Sequence, residues 1–96
     1  MYSKIHKIQN STVLACCDKH LVGKVLKEGE LELRVRADFY KDKIIDENEL
    51  DELLGESDNI NLLGEKSVTV ALKKGFINEG DVIKIKGIPH ALVFKI

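Results

Sequence analysis

The segment NINLLGEKSVTVALKKG, residues 59–75, combines apolar and small side chains at steps of three and four. This spacing predicts an amphipathic helix that begins near Asp58 or Asn59. Two lysines followed by Gly75 are typical of a helix C-terminus, because cations stabilise the negative end of the dipole and glycine readily adopts a left-handed conformation. The predicted inner face consists of Ile60, Leu63, Gly64, Ser67, Val68, Ala71 and Leu72.

On both sides of this helix, short runs of alternating residues predict strands. Residues 31–38 (LELRVRAD) alternate strictly between apolar and charged side chains, as expected of a strand with one buried face. Residues 2–8 and 12–17 predict an N-terminal hairpin closed by residues 9–11. Residues 82–86 and 91–96 predict a C-terminal hairpin, with Gly87-Ile88-Pro89-His90 as its loop.

Two further helices are predicted from their capping residues. Asp18 stands where it could cap a short helix over residues 19–26. Asp46 and Glu49 have the spacing of a capping box, flanked by Ile45 and Leu50 as a hydrophobic staple. The chain is therefore predicted to be α+β, with a mostly antiparallel sheet of about five strands, N- and C-terminal hairpins, and two or three short helices packed on it.

Length and composition indicate one folded domain over residues 1–96. Apolar residues make up 44% of the 96 residues and charged residues 32%, a mixture that excludes the low hydrophobicity of disordered chains. The net charge of -1 excludes a uniformly basic nucleic-acid coat. Residues 42–58 nevertheless carry eight acidic side chains against one lysine, which predicts a bipolar surface with one acidic helical face.

The N-terminus and the cysteines bear on the cellular location. No apolar run approaches the roughly 18 residues that a bilayer requires, and MYSKIHK has no signal-peptide character. Cys16 and Cys17 are adjacent, so they cannot join distant segments as the disulfides of secreted proteins do. We therefore expect reduced thiols, a cytoplasmic location and no contact with membranes.

Several short motifs resemble those of a small archaeal family that is known as domain of unknown function 424. They are Cys17-Asp18, Leu21-x-Gly23-Lys24, Glu28-Gly29, Phe39-Tyr40, Asn61-Leu62-Leu63-Gly64-Glu65 and Gly87-Ile88-Pro89-His90-Ala91. The resemblance covers essentially the whole chain. It implies an archaeal cytoplasmic protein with no assigned reaction, and it supplies no catalytic residues.

His90 is the first candidate for chemistry. As the last residue of a proline-containing loop, it is expected to hydrogen-bond a loop carbonyl or a neighbouring strand. Acid or base catalysis would instead need a carboxylate or nucleophile beside it, and Asp18 and Cys17 are the best available partners.

Metal and cofactor sites are not predicted. The two cysteines would point to opposite faces of a strand, and no pair of ligands has the spacing of a zinc motif. No glycine-rich phosphate loop is present. We therefore expect no metal ligands, no catalytic residues and no cofactor.

A basic strand face is the candidate for binding nucleic acid. Arg34 and Arg36 alternate on the wet face of the predicted strand, with Lys24 nearby and Tyr40 as a stacking group. The alternative is that both arginines only pair with Glu32 and Asp38 on a solvated surface.

The leading hypothesis is a non-enzymatic accessory domain that binds an RNA-containing or protein assembly, with the archaeal translation apparatus as one such assembly. The alternatives are a small enzyme that uses His90 with Asp18 or Cys17, and a structural dimer module that pairs through a sheet edge. The candidate binding residues are His90, Asp18, Lys24, Arg34, Arg36, Tyr40 and Asn61.

Overall fold

The computed structural model describes residues 1–94 and shows an α+β domain in which helices and a small hairpin cover a mostly antiparallel sheet. The helices are α1 (Ala37–Tyr40), α2 (Glu47–Glu56) and α3 (Glu65–Lys73). The strands are β1 (Tyr2–Ile8), β2 (Ser11–Cys17), β3 (Val25–Glu28), β4 (Leu31–Arg34), β5 (Lys43–Ile44), β6 (Asn59–Leu63), β7 (Val82–Ile85) and β8 (Ile88–Phe94). The predicted fold class is confirmed, with eight strands in the described residues instead of about five.

Six of these strands form the main sheet in the order β5-β1-β2-β6-β8-β7, and β3 pairs with β4 separately. The two predicted terminal hairpins, β1–β2 and β7–β8, are both present and antiparallel. β6 lies between them, parallel to β2 and antiparallel to β8. This parallel pair requires the long connection that carries the β3–β4 hairpin, α1 and α2.

The central strands are buried on both faces. On one face, residues such as Leu14 and Leu62 pack against α2 and α3. On the other face, Ala15 and Leu63 pack under the β3–β4 hairpin and α1, where Tyr40 is buried. The candidate functional site lies at the edge of the layer that the β3–β4 hairpin and α1 form on this face.

The helix predicted from residue 58 or 59 is wrong over its first turns, because residues 59–63 form β6. A strand covered on both faces carries buried apolar residues on either side, so Ile60 and Leu63, three positions apart, imitate the spacing of a helix. α3 begins only at Glu65, after Gly64 at a φ of 111°. Its predicted C-terminus is confirmed by Gly75, which has a φ of 77°.

The strand predicted over residues 31–38 is too long. β4 ends at Arg34, and Ala37 begins the single helical turn of α1. The pattern is misleading at its ends, because Leu31 and Ala37 are exposed while Val35 is buried. Leu31 pairs with Glu28 beside the turn of the two-stranded hairpin, at the end where β4 begins, and it is 53% exposed.

The helix predicted over residues 19–26 is also wrong. Lys19–Leu21 form one 3₁₀ turn, and Val25 begins β3. The side chain of Asp18 does not cap this turn. It reaches instead to α3, since that longer helix offers several unpaired backbone donors.

The capping box of α2 is confirmed, with Asp46 and Glu49 bonded reciprocally. The C-terminal hairpin turns at Lys86 and Gly87, with φ values of 55° and 76°, and not through the predicted four-residue loop. Pro89 and His90 therefore lie inside β8. The last two residues of the predicted strand, 95–96, lie outside the described residues.

None of the helices in residues 1–94 is both long enough and apolar enough to cross a membrane.

Candidate functional site

A cleft of about 430 Å³ opens to solvent on the sheet face opposite α2 and α3. We call it the arginine cleft, because Arg34 and Arg36 line it and are the two arginines of the whole chain. β1, β6, β4 and α1 contribute its walls. Its lining residues are His6, Leu33, Arg34, Arg36, Asp38, Phe39, Tyr40 and Asn61.

The rim of the cleft is charged and well solvated. Arg36 donates from Nε and Nη2 to the two carboxylate oxygens of Asp38 at 3.0 and 2.9 Å. This contact holds the pKa of Asp38 below its usual range. Arg34 lies 3.3 Å from Glu32, and the two arginine side chains are 70% and 69% exposed. The predicted pairing of both arginines with Glu32 and Asp38 is therefore present. Exposed ion pairs of this kind contribute little free energy, so another anion can replace the carboxylates.

Asn61 lines the cleft from the sheet side. Its Oδ1 accepts a hydrogen bond from the Tyr40 hydroxyl at 2.8 Å and another from His90 Nε2 at 3.2 Å. Tyr40 and His90 are both buried, and β6 and β8 bring Asn61 and His90 together in the sheet. The amide oxygen is therefore fixed by two donors, and the amide nitrogen is left with no hydrogen-bond partner among residues 1–94.

An aromatic pair forms another side of the cleft. The rings of His6 and Phe39 are stacked, with centroids 4.4 Å apart and planes at 21°. His6 Nε2 also donates to the backbone oxygen of Phe39 at 2.7 Å. Phe39 in turn meets the edge of Tyr40 at 4.9 Å. Sequence analysis did not select His6, and the alternation of β1 alone gives it no distinguishing signal.

Four of the candidate residues, Arg34, Arg36, Tyr40 and Asn61, thus lie around one cleft, and His90 supports it through Asn61. Lys24 is exposed and is not a lining residue of the cleft.

Asp18 is placed elsewhere and is fully engaged. Its carboxylate accepts from the backbone of Lys66 at 2.9 Å, the backbone of Ser67 at 3.0 Å and the Ser67 hydroxyl at 2.9 Å. It therefore caps α3, and none of the hydrogen bonds found in the described residues joins it to His90.

The two cysteines are free and buried, on opposite faces of β2 as their adjacency predicted. Burial raises the pKa of Cys16 to about 11 and that of Cys17 to about 12. Both thiols are therefore protonated at neutral pH, which opposes a nucleophilic role. In the part of the chain that the structure describes, no group of three or more His, Cys, Asp or Glu side chains could hold a metal ion.

His90 is 6% exposed, and burial lowers its pKa. Below the ordinary pKa the unfolded chain takes up a proton that the folded chain resists, so His90 is expected to reduce stability as the pH falls through about 6.5. At neutral pH the imidazole is uncharged and serves as a donor to Asn61.

Replacing His90 with alanine is expected to lower the free energy of unfolding by roughly 1 to 3 kcal/mol, because a buried ring and a hydrogen bond are both lost. Urea denaturation at pH 7.5 measures this loss. A variant as stable as the parent would contradict the structural role of His90.

These features define an α+β domain with a solvent-open cleft, rimmed by arginines, on one face of a mixed six-stranded sheet. The chain belongs to the family described as "Protein of unknown function (DUF424)", whose model matches residues 6–96. The archaeal family resemblance of the sequence motifs is thereby confirmed.

A solved structure from the archaeon Methanopyrus kandleri, described as an uncharacterized conserved protein, is similar to this chain at 28% sequence identity. The TM-score is 0.80, and the match covers 96% of this chain and 88% of the other. A comparison with curated proteins found no match.

Proposed function

We propose that this domain is a non-enzymatic RNA-binding module that grips phosphates with Arg34 and Arg36. The observation that carries the proposal is that the two arginines of the chain line one open cleft together with an amide and aromatic rings. Arginine binds phosphate through a planar fork of donors, and amides and rings are the groups that contact bases.

The distribution of charge supports an anionic partner on this face. The acidic helix α2 packs on the opposite face of the sheet, through Leu50 and Leu54. Lys4 lies beside the cleft, where its Nζ donates to the backbone oxygen of Asp38 at 2.8 Å. A polyanion would therefore approach the arginine cleft and avoid α2.

The catalytic alternative has less support. The carboxylate of Asp18 accepts hydrogen bonds from α3, and the Cys17 thiol stays protonated. The ring of His90 donates to Asn61. A general base must be within reach of substrate, and His90 is only 6% exposed while the Asp18 carboxylate is occupied by donors of α3.

We also propose that the bound RNA belongs to a larger assembly. The similar structure comes from an archaeon, which supports testing archaeal ribonucleoprotein, including the translation apparatus, as the partner. A cytoplasmic location is proposed with it.

Replacing both Arg34 and Arg36 with glutamine is expected to weaken binding to single-stranded RNA about tenfold or more at 100 mM salt, since two phosphate contacts are lost. Fluorescence anisotropy with a labelled oligonucleotide, repeated across a salt series, measures the affinity and its salt slope. The slope of log K against log salt concentration should be shallower by about 1.4 in the variant, because each contact to a single strand contributes about 0.7.

The matched control replaces Lys66 and Lys73 on α3 with glutamine, which removes the same charge from the other side of the sheet. We expect this control to bind almost as tightly as the parent. Equal losses in the two variants would mean that only net charge matters. An absence of RNA binding by the parent, with capture of a protein partner that resists ribonuclease, would favour a protein assembly instead.

A further inference from the structure

We propose that the arginine cleft holds an unpaired nucleobase and that the side-chain amide of Asn61 donates a hydrogen bond to an acceptor on that base. This inference rests on the proposed RNA binding, and it adds which part of the RNA is recognised. It makes the ligand single-stranded RNA with accessible bases, and it makes Asn61 the residue that distinguishes a base from bare sugar-phosphate.

The hydrogen bonds around Asn61 determine what it can offer. Its oxygen already accepts from Tyr40 at 2.8 Å and from His90 at 3.2 Å. Asn61 lines the cleft, and its amide nitrogen has no hydrogen-bond partner among residues 1–94. An amide held in this way presents donors only, so its partner must be an acceptor such as a base carbonyl oxygen or an unprotonated ring nitrogen.

The shape and lining of the cleft suit a flat ring. A volume of about 430 Å³ falls in the range of small-molecule sites and is compatible with one nucleotide. The stacked rings of His6 and Phe39 supply aromatic surface beside Asn61, and aromatic surface stacks any base. Arg34 and Arg36 at the rim are then available for the phosphates of the same nucleotide.

The sheet continues the same surface beyond the cleft. Leu92 is paired with Asn61 in the sheet, so the two side chains share a face. Leu92 is 46% exposed, and Phe94, two residues further along β8, is 67% exposed. An exposed aromatic ring on this face provides a place for a neighbouring base to stack.

These contacts require bases that are not paired. In an A-form duplex each base is stacked between its neighbours and its Watson–Crick edge is used in pairing, so no base can enter the cleft to contact Asn61 and the aromatic rings together. We therefore expect a single-stranded oligonucleotide to bind more tightly than a duplex of equal charge.

The test replaces Asn61 with aspartate. The carboxylate has the same size and still accepts from Tyr40 and His90, but it presents an acceptor where the amide presented a donor. Two single-stranded RNA hexamers are compared by anisotropy, one of six uridines and one in which the bases are absent. The parent is expected to prefer the uridine hexamer about tenfold, and Asn61→Asp is expected to reduce this ratio to about one.

Taking the ratio removes the electrostatic effect of the new carboxylate, because both hexamers carry the same phosphates. If the parent binds neither hexamer, the proposed RNA binding is overturned. If the parent binds both equally, only the recognition of a base is overturned. If Asn61→Asp keeps the parent's ratio, the role of Asn61 is overturned.

A second measurement does not depend on the folding of the variant. In the parent protein, the side-chain NH₂ resonances of Asn61 should shift when the uridine hexamer is added and stay unchanged with the hexamer that lacks bases. Identical shifts with both hexamers would contradict a hydrogen bond from Asn61 to the base.

Discussion

Replacement of Gly64 by alanine is expected to lower the free energy of unfolding by about 3 kcal/mol or more. Gly64 has a φ of 111°, a conformation that side-chain-bearing residues rarely adopt. A Cβ atom at this position would also stand 2.7 Å from both carboxylate oxygens of Asp18. Because Asp18 is held by three hydrogen bonds to α3, it cannot move aside cheaply.

Urea denaturation measures this effect, and Gly55→Ala is the matched control. Gly55 lies in α2, has no positive φ, and its added Cβ would meet only Phe76 at an ordinary 3.9 Å. The control should therefore be neutral or more stable than the parent by up to about 1 kcal/mol. A Gly64→Ala protein that unfolds at the parent's urea concentration would show that the junction between β6 and α3 tolerates a side chain.

The sequence predicts Gly64 on the inner face of a helix. In the structure Gly64 instead precedes α3 and lies against the side chain of Asp18.

Replacement of Asp18 by alanine is expected to cost about 2 to 4 kcal/mol. Asp18 is 2% exposed, and its carboxylate accepts from the backbone donors of Lys66 and Ser67 and from the Ser67 hydroxyl. Alanine would leave these donors at the N-terminus of α3 without their acceptor, close to the core. Asp18→Asn, which keeps one acceptor oxygen, should lose less than Asp18→Ala.

The two variants should not be additive. In an Asp18→Ala background, Gly64→Ala no longer meets a carboxylate, so its additional cost should fall to that of the backbone strain alone. Strictly additive losses in the double variant would contradict direct contact between the two positions.

The candidate site was predicted best where its parts are close in sequence. The alternation of residues 31–38 predicts Arg34 and Arg36 on one face, and both residues line the cleft. Phe39 lines the cleft because it stacks on His6, which is 33 residues away. Two residues so far apart form no local sequence pattern that would predict their contact, since each of them alone fits an ordinary half-buried position.

The same lack of long-range information in the sequence explains why Asp18 is predicted to cap the wrong helix. An aspartate before a short apolar segment is typical of a helix cap, and Asp18 is one, but the helix that it caps begins 47 residues later. Local sequence can show that a side chain is suited to capping. It does not show which helix terminus will be nearest in the folded chain.

Local patterns alone determined the α+β class, the terminal hairpins, the capping box of α2 and the charged face with both arginines, because each depends on residues within a few positions of one another. Only the tertiary structure decided that residues 59–63 are a strand. Their spacing fits a helix, and it is pairing with β2 and β8, with cover on both faces, that makes the extended form more stable. The arginine cleft and the fixed amide of Asn61 follow from that pairing, since β6 carries Asn61 beneath Tyr40 and next to His90.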